Sequence, residues 1–190
     1  MTCRNQPWRT THVLLRFVAT VLAAMLMTSR SPVAQTRLAP FVVTPSDVVD
    51  RMLRLAAVGP GDMVYDLGSG DGRIVIAAAR TFGARGVGLD IDPMLVEQAT
   101  ANAKAAGVAD RVTFRLQDAM TADVSEATVV TLYLLAASNV LLRPRLQAQL
   151  RPGSRIVAHN FGMGDWEPAK VDTFVDSAGR TRTLMLWRLP

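Results

Sequence analysis

Hydrophobic positions along this 190-residue chain change rhythm repeatedly, and each change marks an element. Short apolar runs predict strands at Met63 to Leu67, Gly86 to Leu89, Val112 to Leu116, Thr128 to Leu135 and Arg155 to His159. The run TVVTLYLL is nearly unbroken, as in a strand covered on both faces of a parallel sheet. Between these runs the apolar residues recur at helical spacing. Ile74, Val75, Ala78 and Ala79 form one stripe, Met94 to Ala106 a second that stops at Gly107, and Val140 to Leu150 a third that Pro144 must kink or restart. A helix also precedes the first strand, with Val48, Val49, Met52 and Leu53 as its stripe. Its opening, Thr44-Pro45-Ser46-Asp47, offers Thr44 as N-cap, Pro45 at the first helical position and Asp47 at the capping-box position. Val171 to Val175 and Thr183 to Leu189 flank Ser177-Ala178-Gly179-Arg180, a closing hairpin. Seven strands with helices between the early ones define an α/β fold. The sheet is expected to be mostly parallel, with helices on both faces and the ligand at the carboxyl ends of the strands.

The first strand runs into Gly68-Ser69-Gly70-Asp71-Gly72 and then a helix. Glycines at 68, 70 and 72 allow a sharp turn and leave no Cβ to block a ligand, while the helix aims its unpaired amides and positive dipole end at the same spot. Asp66 ends the first strand. Asp90 ends the second, 18 residues past Gly72, where the acid of a nucleotide-type fold meets ribose hydroxyls. Arg73 stands where the dinucleotide fingerprint has its third glycine, which counts against a nicotinamide or nucleotide-sugar enzyme.

The D-x-G-x-G-x-G spacing of DLGSGDGR resembles motif I of the class I S-adenosylmethionine (SAM) methyltransferases. The resemblance implies a Rossmann-like seven-stranded, mostly parallel sheet with helices on both faces and a C-terminal antiparallel hairpin. It implies SAM as cofactor, and Thr44, Asp66, Gly68, Ser69, Gly70, Asp71, Gly72, Asp90, Ile91, Asp118 and Ala119 as the residues around it. Asp66 would help hold the ammonium group of SAM, Asp90 the ribose and Asp118 the adenine amino group. Asp118 as a merely solvated or capping residue, and Thr44 as a cap alone, stay open. Residues after the fourth strand usually face the methyl group in that family, which points to Tyr133, Leu134, Ser138 and Asn139 as the acceptor side. The N/D-P-P-Y/F tetrapeptide of the adenine- and glutamine-methylating subfamilies is missing there.

A narrower resemblance rests on TPSDVVDRMLRLA, YDLGSGDGRIVIAAA and HNFGMGDWEP, over roughly residues 40 to 168. These blocks are similar to the small family that includes the mitochondrial lysine methyltransferases of the ATP synthase c subunit and the adenine nucleotide translocase. That implies methyl transfer to a deprotonated lysine amine of a protein, including a membrane protein, with His159, Asp165 and Trp166 bordering the substrate entrance. A histidine at a strand end and a lone tryptophan also serve packing alone. A methyltransferase of a small molecule or lipid, and a SAM-binding protein without catalysis, remain open alternatives.

Charge alters the picture only through its location. The formal net charge is +5, but Arg4, Arg9, Arg16 and Arg30 lie in an acid-free leader, and residues 35–190 carry 17 basic against 16 acidic side chains. No nucleic-acid partner is expected from so neutral a domain, and a monomer is expected. Cys3 is the single cysteine, so no disulfide, thiol chemistry or metal site is expected. Residues 1–36 read as a targeting segment ahead of a domain at 37–190. The apolar run Phe17 to Met27 is too short to span a bilayer and fits a secretory signal or an anchor. Export or membrane anchoring is the expectation, with a mitochondrial presequence or a cytoplasmic protein with an over-long start as alternatives.

Overall fold

A computed structural model describes residues 42–190. The leader and the proposed boundary between residues 36 and 37 lie outside the described residues. Helix α1 (Ser46–Leu55) leads into β1 (Met63–Leu67), α2 (Arg73–Phe82), β2 (Arg85–Asp90), α3 (Pro93–Ala105) and β3 (Val112–Leu116). Then come β4 (Val129–Leu132), α4 (Ala136–Gln149), β5 (Arg155–His159), β6 (Lys170–Val175) and β7 (Thr181–Arg188). The seven strands form one sheet in the order β3-β2-β1-β4-β5-β7-β6. β1 to β5 run parallel, and β7 pairs antiparallel with both β5 and β6. The sheet is the one expected, hairpin included.

Both faces are covered. Val48, Val49, Met52 and Leu53 of α1 and Ile74 and Ala78 of α2 pack on Val64, Val129, Val157 and Leu184. On the opposite face Leu142 and Leu146 of α4 meet Leu67, Val130, Leu132, Ile156 and Trp187. All four β4 residues are buried, which explains why its sequence shows no alternation. The chain moves outward from β1 to β3 and then returns to β4 on the other side of β1. That reversal opens a crevice at the carboxyl ends of β1, β2 and β4, where α/β sheets bind ligands.

Four local expectations are corrected. Thr44 does not cap α1: the helix starts at Ser46 and Pro45 takes the cap position without a side-chain bond, its carbonyl accepting from the Val49 amide at 3.0 Å. Asp47 does not close a capping box either. Its carboxylate accepts from the Ser177 amide at 2.6 Å and so ties α1 to the β6–β7 turn. In the third case β4 ends at Leu132 and not at Leu135, and the following helix begins at Ala136, ahead of the expected Val140. Pro144 neither ends nor restarts that helix. It removes one amide donor, but Pro144 and Val140, whose carbonyl loses that donor, are both exposed, so water can take its place.

Candidate active site

The glycine turn is tied to the end of β2 through its backbone. Gly68 and Ser69 amides both donate to the Leu89 carbonyl at 2.9 Å, and the Gly70 amide donates to Asp90 Oδ2 at 2.9 Å. The Asp92 amide donates to the other Asp90 oxygen at 3.0 Å, so two amides orient the carboxylate and leave its remaining lone pairs for a ligand. Gly70 (φ 52°) lies on the crevice. Gly72, expected to give a ligand room, does something else. With φ 82°, a Cβ there would sit 2.5 Å from the Phe114 ring and 2.9 Å from Ala99, so this glycine lets α2 approach β3 and α3.

The crevice takes in about 830 Å³ of space, part of it open solvent. Of the eleven expected cofactor residues, ten line it: Thr44, Asp66, Gly68, Ser69, Gly70, Asp71, Asp90, Ile91, Asp118 and Ala119, with Gly72 the exception. Val43, Arg73, Ile74, Leu95 and Gln117 also line it and were not anticipated. Arg73 is the informative one. Its guanidinium grips the Asp71 carboxylate with two nitrogens and donates from the third to the Thr44 carbonyl at 2.9 Å, so one side chain clamps the segment before α1 onto the glycine turn. The DGR triplet was the available signal, since an arginine opening a helix beside an aspartate has a bidentate partner at hand.

Electrostatics separate the acids. Asp66 is buried on β1 and its carboxyl is pushed up to about 7, burial being the main cause, with a bond from Thr131 Oγ1 at 2.7 Å opposing and Asp90 and Asp71 adding to the rise. Burial also acts to raise Asp71, but Arg73 outweighs it and holds the carboxyl below its ordinary range. Asp118 Oδ1 accepts from the Met120 amide at 2.8 Å, which fixes the turn after β3. The Ser69 hydroxyl is buried and has no hydrogen-bond partner. A polar orphan, a buried acid and an oriented carboxylate on one wall fit an amino-acid-plus-nucleoside ligand such as SAM.

Among the four expected acceptor-side residues, Tyr133 and Leu134 line the cavity, and Ser138 and Asn139 do not. Ser138 and Asn139 are buried in the first turn of α4, and Asn139 Nδ2 donates to the Phe161 carbonyl at 2.9 Å, joining α4 to the segment after β5. Trp166 faces away: it packs against Trp187 at 6.0 Å between ring centres, and its carbonyl accepts from Trp187 Nε1 at 2.8 Å. Asp165 is exposed and pairs with Arg143. His159 is fully buried, stacked 4.0 Å from the Tyr133 ring, with neither ring nitrogen hydrogen-bonded.

This sheet and cavity are those of a SAM-dependent methyltransferase. The family model described as the ANTKMT methyltransferase domain matches residues 66–170, and the chain belongs to that family. A protein-lysine N-methyltransferase of Saccharolobus islandicus (strain REY15A) is 44% identical over 133 residues, 70% of this chain and 83% of that protein. The adenine nucleotide translocase lysine N-methyltransferase of Mus musculus is 33% identical over 154 residues, 81% of this chain and 67% of the relative. The crystal structure of an RNA methyltransferase from Salinibacter ruber, in complex with S-adenosyl-L-homocysteine, is 59% identical with a TM-score of 0.73. The match covers 78% of this chain and 94% of that one. SAM is the cofactor.

Proposed function

We propose that the enzyme methylates lysine side chains of a protein, and that the acceptor is a membrane protein. The observation that carries this reading is the 44% identical relative, named for protein-lysine methylation, 83% of which this chain covers. The surface agrees in kind. Exposed apolar residues border the mouth of the cavity: Val43 lines it, and Met94 and Leu135 adjoin the lining residues Leu95 and Leu134. An apolar rim around a near-neutral domain suits an apolar protein segment better than a phosphate backbone.

SAM supplies an electrophilic methyl group when bound. The chain's part is alignment and exclusion of water, because in-line displacement needs no dedicated triad. Asp90 receives the ribose hydroxyls, Asp66 the ammonium group and Asp118 the adenine end. Tyr133 and Leu134 form the wall past which the acceptor nitrogen comes. The location reading goes with this one: the acid-free leader directs the chain to or across a membrane, and fractionation of tagged protein in the native host tests it. Among the described residues no helix is long and apolar enough to cross a membrane.

A second reading is favoured by the 59% identical Salinibacter ruber protein, which is named as an RNA methyltransferase. One experiment separates the two. Purified enzyme, labelled SAM and separate membrane-protein and total-RNA fractions of the host are combined, and label is read as methyl-lysine after acid hydrolysis or as methylated nucleoside after digestion. Methyl-lysine is expected, and label on nucleosides alone refutes the protein reading.

A further inference from the structure

We propose that Arg182, buried between Asp176 and Tyr133, keeps the acceptor amine unprotonated at the Tyr133 wall of the cavity. This rests on the lysine reading and adds to it the residue that makes the lysine reactive. A lysine ammonium has no lone pair to attack with, and in water only about one lysine in two thousand is neutral at pH 7. The site must therefore favour the neutral form. Desolvation and a nearby positive charge are two means of doing so.

The ends of β4, β5 and β7 supply both. Tyr133 directly follows β4, His159 ends β5 and pairs with Leu184 of β7, and Arg182 lies two residues before Leu184, hence on the same face of the sheet. The Arg182 side chain is 10% exposed, and its Nε donates to Asp176 Oδ2 at 2.7 Å. Asp176 holds its charge strongly and the Tyr133 hydroxyl more weakly. Asp176 does not depend on Arg182 for its own satisfaction, because its other oxygen accepts from the Ala178 amide at 3.0 Å and the Arg180 amide at 2.8 Å. Arg180 adds a second cation 3.6 Å from the same carboxylate. Two guanidiniums against one carboxylate leave the cluster net positive. A buried guanidinium is expensive, and an apolar side chain would serve the packing as well, so its retention here fits an electrostatic task.

His159 reports what this corner does to a nitrogen base. It is pushed down to about 4, first by burial and then by the Arg182 charge, which Asp176 only partly offsets. An amine docked beside the neighbouring Tyr133 ring is brought towards the same Arg182 charge. Of the acids on the cavity wall, Asp71 is neutralised by Arg73, whereas Asp66, Asp90 and Asp118 are held by the uncharged donors of Thr131, Gly70, Asp92 and Met120 and belong to the cofactor side of the cavity. From α1, Asp47 bonds the Ser177 amide and Arg51 pairs with Asp172 of β6 at 2.6 Å. Once its proton has gone to water, the amine nitrogen uses its lone pair to form the new N–C bond. The methyl carbon's bond to sulfur breaks with its electron pair staying on sulfur, so the positive charge passes from sulfonium to methylammonium.

The test is the pH dependence of methyl-lysine formation by the full chain, at saturating SAM with a limiting amount of host membrane extract. Arg182→Gln is expected to move the rising limb up by about one pH unit. That is a loss of about tenfold at pH 7, recovered at alkaline pH, with SAM affinity unchanged by calorimetry. Arg182→Lys keeps the charge and the parent profile. Asp176→Asn removes the counter-charge and moves the limb down, which keeps the proposal testable if Arg182→Gln fails to fold. Equal losses at every pH, or profiles that do not move in opposite directions, overturn the role of Arg182 while the lysine reading stands. Label on RNA with no methyl-lysine overturns both.

Discussion

The part of the crevice built by β1 and β2 and the part built by β4, β5 and β7 treat polar groups in opposite ways. At the first, backbone amides do the holding: Gly70 and Asp92 fix Asp90, and the Leu89 carbonyl fixes Gly68 and Ser69. At the second, side chains are brought together from distant parts of the chain, and three buried atoms, both His159 nitrogens and Asn139 Oδ1, have no partner, against one, the Ser69 hydroxyl, at the first. The first is a preformed cradle. The second is a dry corner whose unmet polarity suits a site that a substrate completes.

The largest expected effect separates folding from binding within the cradle. Gly72→Val places a branched side chain at φ 82° with its Cβ 2.5 Å from Phe114, combining backbone strain with overpacking. The expected cost is about 2–6 kcal/mol of stability, read by denaturant unfolding. Gly70→Val shares the positive-φ strain (φ 52°) but projects from the cavity wall, and should abolish SAM binding by calorimetry while lowering the unfolding midpoint less than Gly72→Val does. An unchanged unfolding midpoint for Gly72→Val would show that its glycine is not needed for packing.

Next come two opposed pH dependences, one from each half. The folded state raises Asp66 from 3.8 to about 7, so between those values it binds a proton that the unfolded chain has released. Stability without SAM therefore falls as pH rises from about 4 to about 7, by up to roughly 4 kcal/mol from this group. His159 is lowered from 6.5 to about 4, so there the unfolded chain binds the extra proton. Its contribution is present above about 6.5 and is lost as pH falls towards 4, by up to roughly 3 kcal/mol. The two partly cancel in the parent. Asp66→Asn should leave a stability that rises with pH across this window, and His159→Gln one that falls, both read by thermal melting at low salt. Matching slopes in the two variants would contradict the assignment.

Asp90→Ala follows in size. Removing the carboxylate proposed to accept both ribose hydroxyls should weaken SAM binding about 10- to 150-fold, or about 1.5–3 kcal/mol. Calorimetry decides it, and unchanged affinity would remove Asp90 from the ribose role.

The same contrast explains what could be read from the chain. A glycine turn between two acid-terminated strands is local, so its residues stand at fixed spacings, and ten of the eleven anticipated positions do line the cavity. Gly72 escaped because its reason for being glycine is Phe114, which the sequence places 42 positions away. The acceptor corner has no such spacing. Tyr133, His159, Asp176 and Arg182 come from four segments, and their juxtaposition depends on β7 entering between β5 and β6. Trp166 stands out in the sequence for its chemistry, yet its partner is Trp187, which local pattern cannot reveal. Run lengths failed for a related reason: TVVTLYLL stays apolar past the last β4 pairing because Leu134 turns to pack in the core while Leu135 begins the entry into α4.

Asn139 gives the smallest effect and the sharpest distinction between the two halves. Its Nδ2 holds the Phe161 carbonyl at 2.9 Å, while its Oδ1 is buried without a partner. Asn139→Ala removes one hydrogen bond and orphans a carbonyl, but it also removes an unsatisfied oxygen and leaves a small void. These terms oppose one another, so the net loss of stability should be about 1–2 kcal/mol. A residue that only joins α4 to the segment after β5 would leave SAM affinity and turnover close to the parent's once unfolding is allowed for. If the free Oδ1 instead receives a hydrogen bond from the acceptor, turnover should fall by about tenfold more than stability explains, with SAM affinity unchanged. Asn139→Asp resolves the remaining ambiguity. It keeps an oxygen for an acceptor N–H but loses the donor to Phe161, so retained turnover with lost stability assigns the acceptor role to Oδ1. Lost turnover with retained stability rules that role out.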